Sequence, residues 1–273
     1  MGKTITGHMV VKNEERWVWY SIMSVIDYLD QMIIFDNGST DQTAAIVREI
    51  ANKPKYKEKI LFEEKGATNK SGFTLLRQEQ LERTKTDYFM LVDGDEIWWK
   101  SSIEEIIKII NSDNAPDLIA SRFINCAGDI YHYRDDSRET YCINGIVGAI
   151  SIRVFSVNIK GIHCANDYGN EGYLDYQGRD VQNNVWTTCI QEGRFLHTSY
   201  LQRSNTISKD KEIYYRDWKL KSQNLWDYRF PKDFVYPEVL YLQTPALVHQ
   251  PWNKADLYRR LMQLKKIKRL WRK

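Results

Sequence analysis

Four apolar runs recur through the first hundred residues, and each stops at or shortly before an acid. "TITGHMVV" (4–11) is followed by Glu14, and "QMIIFD" (31–36) ends in Asp36. "KILFEE" (59–64) ends in two glutamates, and the run over 87–92 gives way to Asp93-Gly94-Asp95. Helical signals lie between them. Val18, Ile22, Val25 and Leu29 recur at helical spacing within 15–29, Asp41 can cap a helix over 42–51, and a further helix is expected over about 73–84. Ser102 and Glu105 read as a capping box that opens a helix to about residue 110. Short apolar runs alternating with helices predict an α/β fold: a mostly parallel, Rossmann-like sheet flanked by helices. Right-handed crossovers align the carboxyl ends of such strands along one edge, and ligands bind there. Acids collected at that edge repel one another unless a cation or hydrogen-bond donors meet them.

The chain has 273 residues, enough for a large core in one domain or one domain plus an appendage. No apolar run approaches ~18 residues, so no membrane-spanning helix is expected, and the N-terminus lacks a signal-peptide pattern. Cys126, Cys142, Cys164 and Cys189 are widely spaced with no CxxC pair. That disfavours structural zinc and suits reduced thiols in a cytoplasmic protein. The net charge of +3 conceals an asymmetry: residues 254–273 hold nine Lys/Arg against one Asp, a balance of +8, so the remainder carries −5.

Beyond residue 110 the pattern changes. "DLIASRFI" (117–124), "AISIRVFSV" (149–157) and "RFLHTSYLQRS" (194–204) read as strands. The stretches at 125–147 and 164–185 are long, polar and aromatic, and read as binding loops. These readings divide the chain into a catalytic domain over 1–205, with halves at 1–110 and 111–205, and a helical, basic C-terminal region over 206–273.

No GxGxxG or GxxxxGK[ST] motif is present, so the sheet must hold its ligand without a glycine-rich phosphate loop. Asp93-Gly94-Asp95 offers another way. Hard carboxylate oxygens suit Mg²⁺ or Mn²⁺, which bridge to substrate phosphates, and Gly94 lets the backbone turn sharply beside a ligand. A solvated turn is the plainer reading of the same residues. At "FDNGSTDQT" (35–43), Ser39, Thr40 and Asp41 start a helix, while Asp36 remains at the strand end to accept N–H bonds from a base. Trp98 and Trp99, directly after the acids, could pack in the core or present an apolar platform to a sugar.

Taken in order, "VVKNEE", "IIFDNGSTDQT", "GFTLLRQEQLERTKTDYFMLVDGDEIW" and, more loosely, "SIRVF" and "HTSYLQRS" resemble the family 2 glycosyltransferases of the GT-A nucleotide-sugar fold. The resemblance implies an inverting, metal-dependent hexosyl transfer, with Mn²⁺ or Mg²⁺ as cofactor. The implied donor is a UDP- or GDP-linked sugar and the implied acceptor a glycan or lipid-linked hydroxyl. By position, Asp36 resembles the nucleobase-binding Asp, with Lys12 and Glu14 beside it. Arg77 stands in a Gly-x-x-x-x-Arg pattern begun by Gly72, but Gln78 follows where the family has Asn. Asp93 resembles the residue near ribose and metal, Asp95 the metal-coordinating carboxylate, and His197 a late metal or diphosphate ligand. Arg203, Lys209 and Lys211 follow and could neutralise diphosphate from a mobile loop. The family's Glu-Asp or His-Glu base pair is missing. Asp167 is the first choice of catalytic base and Glu171 the second, with Asp175 nearby.

In the tail, Leu257, Leu261, Leu264, Ile267 and Trp271 share a helical face that Arg260 and Lys268 interrupt. Such a basic amphipathic segment can bind an anionic membrane surface or pack on the domain. A peripheral site at the inner face of the membrane is one expectation. No nucleic-acid-recognition module accompanies the charge. A nucleotidyltransferase and a non-catalytic nucleotide- or glycan-binding protein are the competing functions. The first would want a glycine-rich loop after strand one, which "VVKNEERW" lacks.

Overall fold

A computed structural model describes residues 2–183, 187–213, 216, 219 and 227–254. The first half follows the expected alternation: β1 (Ile5–Val11), α1 (Val18–Val25), β2 (Gln31–Asp36), α2 (Thr43–Ala51), β3 (Ile60–Glu64), α3 (Lys70–Arg83) and β4 (Tyr88–Leu91). Strand β1 lies between β2 and β4, parallel to both, and β2 is parallel to β3. Every residue of β1 is buried, as a strand covered on both faces requires. Helix α4 (Lys100–Ile110) buries Ile103, Ile106 and Ile110, the one-face spacing of an amphipathic helix.

The second half widens the sheet with antiparallel strands. β10 (Ile150–Ser156) inserts antiparallel between β4 and β6 (Leu118–Ala127), and β7 (Asp129–Tyr133) continues beyond β6. Between β7 and β10, β8 (Tyr141–Ile143) and β9 (Ile146–Gly148) form a separate hairpin. The long β13 (Thr188–Tyr200) runs parallel to β6 and pairs antiparallel with the short β5 (Glu96–Trp98). The result is a mixed sheet, parallel from β4 through β1 and β2 to β3 at one edge and antiparallel where β10 joins the two halves. Its binding edge is completed by a strand that begins about ninety residues after the acids it faces.

Two readings need correction. The Ser102/Glu105 pair does not cap α4, whose N-cap is Trp99. Instead Ser102 Oγ donates to the Arg194 carbonyl, and Glu105 accepts the N–H groups of Glu192 and Gly193, tying the helix to β13. Trp98 and Trp99 form no platform: Trp98 is buried against Phe195, with ring centroids 4.6 Å apart, and Trp99 packs edge-on to Phe234. Much of the expected helical C-terminal region lies outside the described residues, and of those described Ile207–Asp210, Arg216 and Lys219 are α-helical. There, 207–210 form the short helix α5 (Ile207–Asp210), while 228–229 form the strand β14 (Tyr228–Arg229), which joins the sheet at β7. Phe230, Tyr236, Val239 and Leu240 enter the main core. Residues 255–273, with the amphipathic face, lie outside the described residues.

All four cysteines are free, as expected.

Candidate active site

Chain direction builds the site. β4 ends at Leu91, and the turn that follows is closed by the Glu96 N–H donating to the Asp93 carbonyl at 3.1 Å. Ser21 of α1 donates its hydroxyl to that same carbonyl at 2.7 Å, and Thr198 of β13 donates its N–H to the Asp95 carbonyl at 2.8 Å. The backbone of Asp93–Glu96 is therefore held from both sides, and its side chains are aimed rather than free. Gly94 is required by close approach: a Cβ there would lie 2.9 Å from Glu14 Cγ and 3.0 Å from Val11 Cγ1.

Each carboxylate meets an arginine from elsewhere in the chain. Arg77 of α3 donates from Nη2 to Asp93 Oδ1 at 2.6 Å, and from Nη1 to the His8 carbonyl at 3.3 Å. Arg153 of β10 pairs with the fully buried Glu96 and lies 3.6 Å from Asp93 Oδ2. Arg203 bonds Glu14 with one nitrogen and Asp95 Oδ2 with the other, the latter at 2.5 Å. His197 Nε2 lies 3.4 Å from the same Asp95 oxygen, because the β13–β5 register sets His197 opposite Glu96.

These pairings set the protonation states. Burial works to raise Asp95, but Arg203 and then His197 outweigh it and hold the carboxyl well below the usual range. Asp93 is likewise lowered: burial opposes, and Arg77 and Arg153 prevail. Burial pushes Glu96 up to about 8 despite Arg153. Burial lowers His197, which keeps its imidazole neutral and able to ligate a metal, and Asp95 works against that shift.

The cavity over this edge has a volume of about 530 Å³. Lys12, Glu14, Arg77, Asp93, Gly94 and Asp95 line it, as do Glu171, His197 and Arg203. Two expected residues do not. Asp36 is 2% exposed at the end of β2, beneath Asn37, which does line the cavity. Its Oδ1 accepts the Ser39 N–H at 2.8 Å, while its buried Oδ2 has no hydrogen-bond partner. Asp167 is exposed and outside the lining, whereas Glu171 is part of it. The reason is a hairpin: β11 (His163–Ala165) pairs with β12 (Gly172–Leu174) in a register that opposes Ala165 to Gly172. Glu171 therefore sits where the connecting loop rejoins β12, beside the cavity, while Asp167 lies further out in that loop. Burial raises the Glu171 carboxyl, as suits a proton acceptor. Asp175 is structural: it binds the Arg179 guanidinium at 2.7 and 2.9 Å and accepts backbone N–H groups in the next turn.

The cationic side of the site also departs from expectation. Lys209 and Lys211 do not line the cavity, whereas Arg216 and Lys219 do. Arg216 is buried and donates to the carbonyls of Ser199 and Leu201, fixing the exit of β13. Burial lowers Lys219 to about 8, with Arg203 contributing. The segment around Arg203 is anchored, not mobile: its carbonyl accepts the Arg16 N–H at 3.0 Å, and Trp17 Nε1 donates to the Gln202 carbonyl at 2.9 Å. Sequence reasoning missed Arg153, Arg216 and Lys219. Only Arg153 carried a signal, as the one charge in the alternating strand "AISIRVFSV".

A metal fits the donor chemistry here. Asp95 supplies a hard oxygen and His197 a neutral nitrogen directed at it, and His197 Nδ1 is buried without a partner. Among the described residues no three His, Cys, Asp or Glu side chains converge as a complete cage. Two protein donors, with phosphate oxygens completing the sphere, match the way Mg²⁺ and Mn²⁺ are usually held beside nucleotides, and the nitrogen donor favours Mn²⁺ of the two.

No curated protein matches the chain. Among solved structures it is similar to S. aureus TarS 1-349 in complex with UDP-GlcNAc, at 14% identity, over 69% of this chain and 59% of that one, with a TM-score of 0.43. It is also similar to glucosyl-3-phosphoglycerate synthase from Mycobacterium tuberculosis in complex with Mn²⁺, UDP and glucosyl-3-phosphoglycerate. That match has 19% identity, covers 58% of each chain and has a TM-score of 0.41. The chain thus spans less than two thirds of the length of either. The family model for glycosyl transferase family 2 matches residues 8–201, from β1 through the end of β13. The chain belongs to glycosyl transferase family 2.

Proposed function

We propose that this protein is a metal-dependent glycosyltransferase that moves a sugar from a nucleoside-diphosphate donor to a hydroxyl of a glycan or lipid-linked acceptor, with inversion at the anomeric carbon. The observation that carries this reading is the convergence of Asp93, Asp95, His197, Arg203 and Glu171 on one cavity in a chain of this family.

Each residue then has a task set by its surroundings. Lys12 and Asn37 line the cavity wall where a base would lie, and the buried, unpartnered Oδ2 of Asp36 would accept its N–H once Asn37 moves aside. Arg77 orients Asp93 toward the ribose and the sugar. Asp95 and His197 would hold the metal, which when bound supplies positive charge to the departing diphosphate. Arg203 and Lys219 add fixed positive charge on that side, where the leaving group's charge develops. Glu171 takes the proton of the acceptor hydroxyl as its oxygen attacks the anomeric carbon and the bond to diphosphate breaks.

The test is calorimetric titration with UDP, GDP, CDP and dTDP, with and without Mn²⁺, on wild type and Asp95→Ala. Manganese-dependent binding of one nucleotide, lost in the variant, is expected and names the donor class. No binding of any of the four would overturn the reading. The competing non-catalytic function predicts nucleotide binding with no sugar release, and no effect of Glu171→Gln on hydrolysis or transfer.

No helix among the described residues is long and apolar enough to cross a membrane. A lipid-linked acceptor would suit the +8 balance of residues 254–273, which can bring the cavity to an anionic membrane surface. Sedimentation with phosphatidylserine vesicles, lost when the tail is removed, tests that part.

A further inference from the structure

The position of Arg203 has a consequence for cation binding. Its side chain is 12% exposed, and the two carboxylates it clamps, Glu14 and Asp95, are 5% and 4% exposed. The Asp95 oxygen it holds is Oδ2, the same oxygen that faces His197 Nε2. Guanidinium and metal are therefore directed at one atom. A divalent ion on Oδ2 would lie under about 5 Å from Nη2, in a site where burial leaves their repulsion weakly screened.

The backbone cannot relieve this conflict. Besides the Arg203 and Gln202 carbonyls already fixed to Arg16 and Trp17, the Ser204 hydroxyl is shared between Asp41 Oδ2 at 2.6 Å and Glu15 Oε1 at 3.0 Å. Only the side chain can move. The second clamp on Glu14 lets the guanidinium release Asp95 while remaining paired. The entering diphosphate, doubly or triply charged, is the ligand that would draw it away.

We propose that Arg203 is a built-in competitor for the metal. In the nucleotide-free protein it occupies Asp95 and keeps divalent-cation affinity low. A nucleoside diphosphate pulls the guanidinium onto its own oxygens, and Asp95 is freed for the metal at the moment the metal is needed. Metal and donor then bind as a coupled pair, each raising the affinity of the other by the same factor. The inference rests on the proposed metal site at Asp95 and His197.

The experiment is Mn²⁺ titration followed by electron paramagnetic resonance of the free ion, with and without UDP, corrected for Mn²⁺ binding to UDP alone. It compares wild type, Arg203→Gln, Arg203→Lys and Asp95→Ala. Arg203→Gln is expected to bind Mn²⁺ at least ~10-fold more tightly than wild type without nucleotide, and to lose most of the tightening that UDP causes in wild type. Arg203→Lys keeps the charge but cannot span both carboxylates, so it falls between them; it also serves if the glutamine variant fails to fold. Equal Mn²⁺ affinity in wild type and both variants, still lost in Asp95→Ala, would overturn the competition while leaving the metal site standing. No Mn²⁺ binding in any of the proteins while UDP still binds would overturn the metal reading itself, and this inference with it.

Discussion

Gly94→Ala isolates the steric argument at the centre of the site. The glycine carries no positive φ, so the substitution introduces no backbone strain, and what it tests is space. The new methyl would lie 2.9 Å from Glu14 Cγ and 3.0 Å from Val11 Cγ1, both well inside van der Waals contact. Val11 is buried in β1 and cannot retreat, and Glu14 is held by Arg203. One of three things must give: the β4–β5 turn, the end of β1, or the Glu14–Arg203 pair. Overpacking of this kind costs about 1–3 kcal/mol. At ~2–4 °C per kcal/mol for a chain of this size, the melting temperature should fall by roughly 2 to 12 °C. Nucleotide affinity should fall as well, because the methyl displaces Glu14 or Asp95 inside the cavity. Gly172→Ala is the control: its φ is unexceptional and a Cβ there meets nothing within 4 Å. Thermal melts of both variants, with nucleotide calorimetry on Gly94→Ala, decide the matter. If Gly94→Ala melts within a degree or so of Gly172→Ala and binds nucleotide like wild type, the glycine is not needed for close packing and the described turn is wrong.

Trp98→Ala should cost about 3–5 kcal/mol, read from urea unfolding, because it empties a buried ring site against Phe195. Trp99→Ala should leave nucleotide binding intact, and a loss there would restore the sugar-platform role. The acid limb of kcat/KM should lie above the ordinary glutamate range, since burial raises Glu171, and activity should rise with pH as that carboxyl loses its proton. Glu171→Gln should abolish transfer while retaining donor binding, whereas an unchanged rate would remove Glu171 as the base. Glu96 is raised from 4.5 to about 8 in the folded chain, so its contribution is complete below the lower value and is lost as pH rises through the higher one. The urea midpoint should therefore fall between about pH 4.5 and pH 8 more steeply in wild type than in Glu96→Gln, and parallel curves would refute it.

The parallel half of the fold was legible because each element carries its own period. β2 was read to the residue, and α2, α3 and β4 to within a few residues at each end. In that half the strand ends point to Glu14, Asp93, Gly94 and Asp95, and the family resemblance points to Arg77; all five line one cavity. What local pattern cannot show is which distant segment closes over them. Ser102 and Glu105 have the spacing of a capping box, yet tertiary contacts with β13 take both side chains. Asp167 and Glu171 are equivalent as sequence, and only the hairpin register separates them. Arg216 and Lys219 lie in a stretch whose composition says no more than polar and aromatic, and nothing in their spacing directs them to a cavity.

The distribution of charge explains why such a site resists reading from one segment. Its acids come from strand ends, but the arginines that balance them come from three other places: Arg77 from α3, Arg153 from β10, and Arg203 from the exit of β13. Buried ion pairs are weak contributors to stability, since desolvation offsets most of their attraction. A chain selected for stability alone could fill the same space with apolar side chains. Three separately supplied arginines make better sense as counter-ions that a ligand can exchange: a diphosphate takes over the cations, and a metal takes over a carboxylate. The β13–β5 pairing is then the step that matters most for assembly. It delivers His197 directly and Arg203 through its exit, and without it Glu14 and Asp95 would lose the guanidinium that they share.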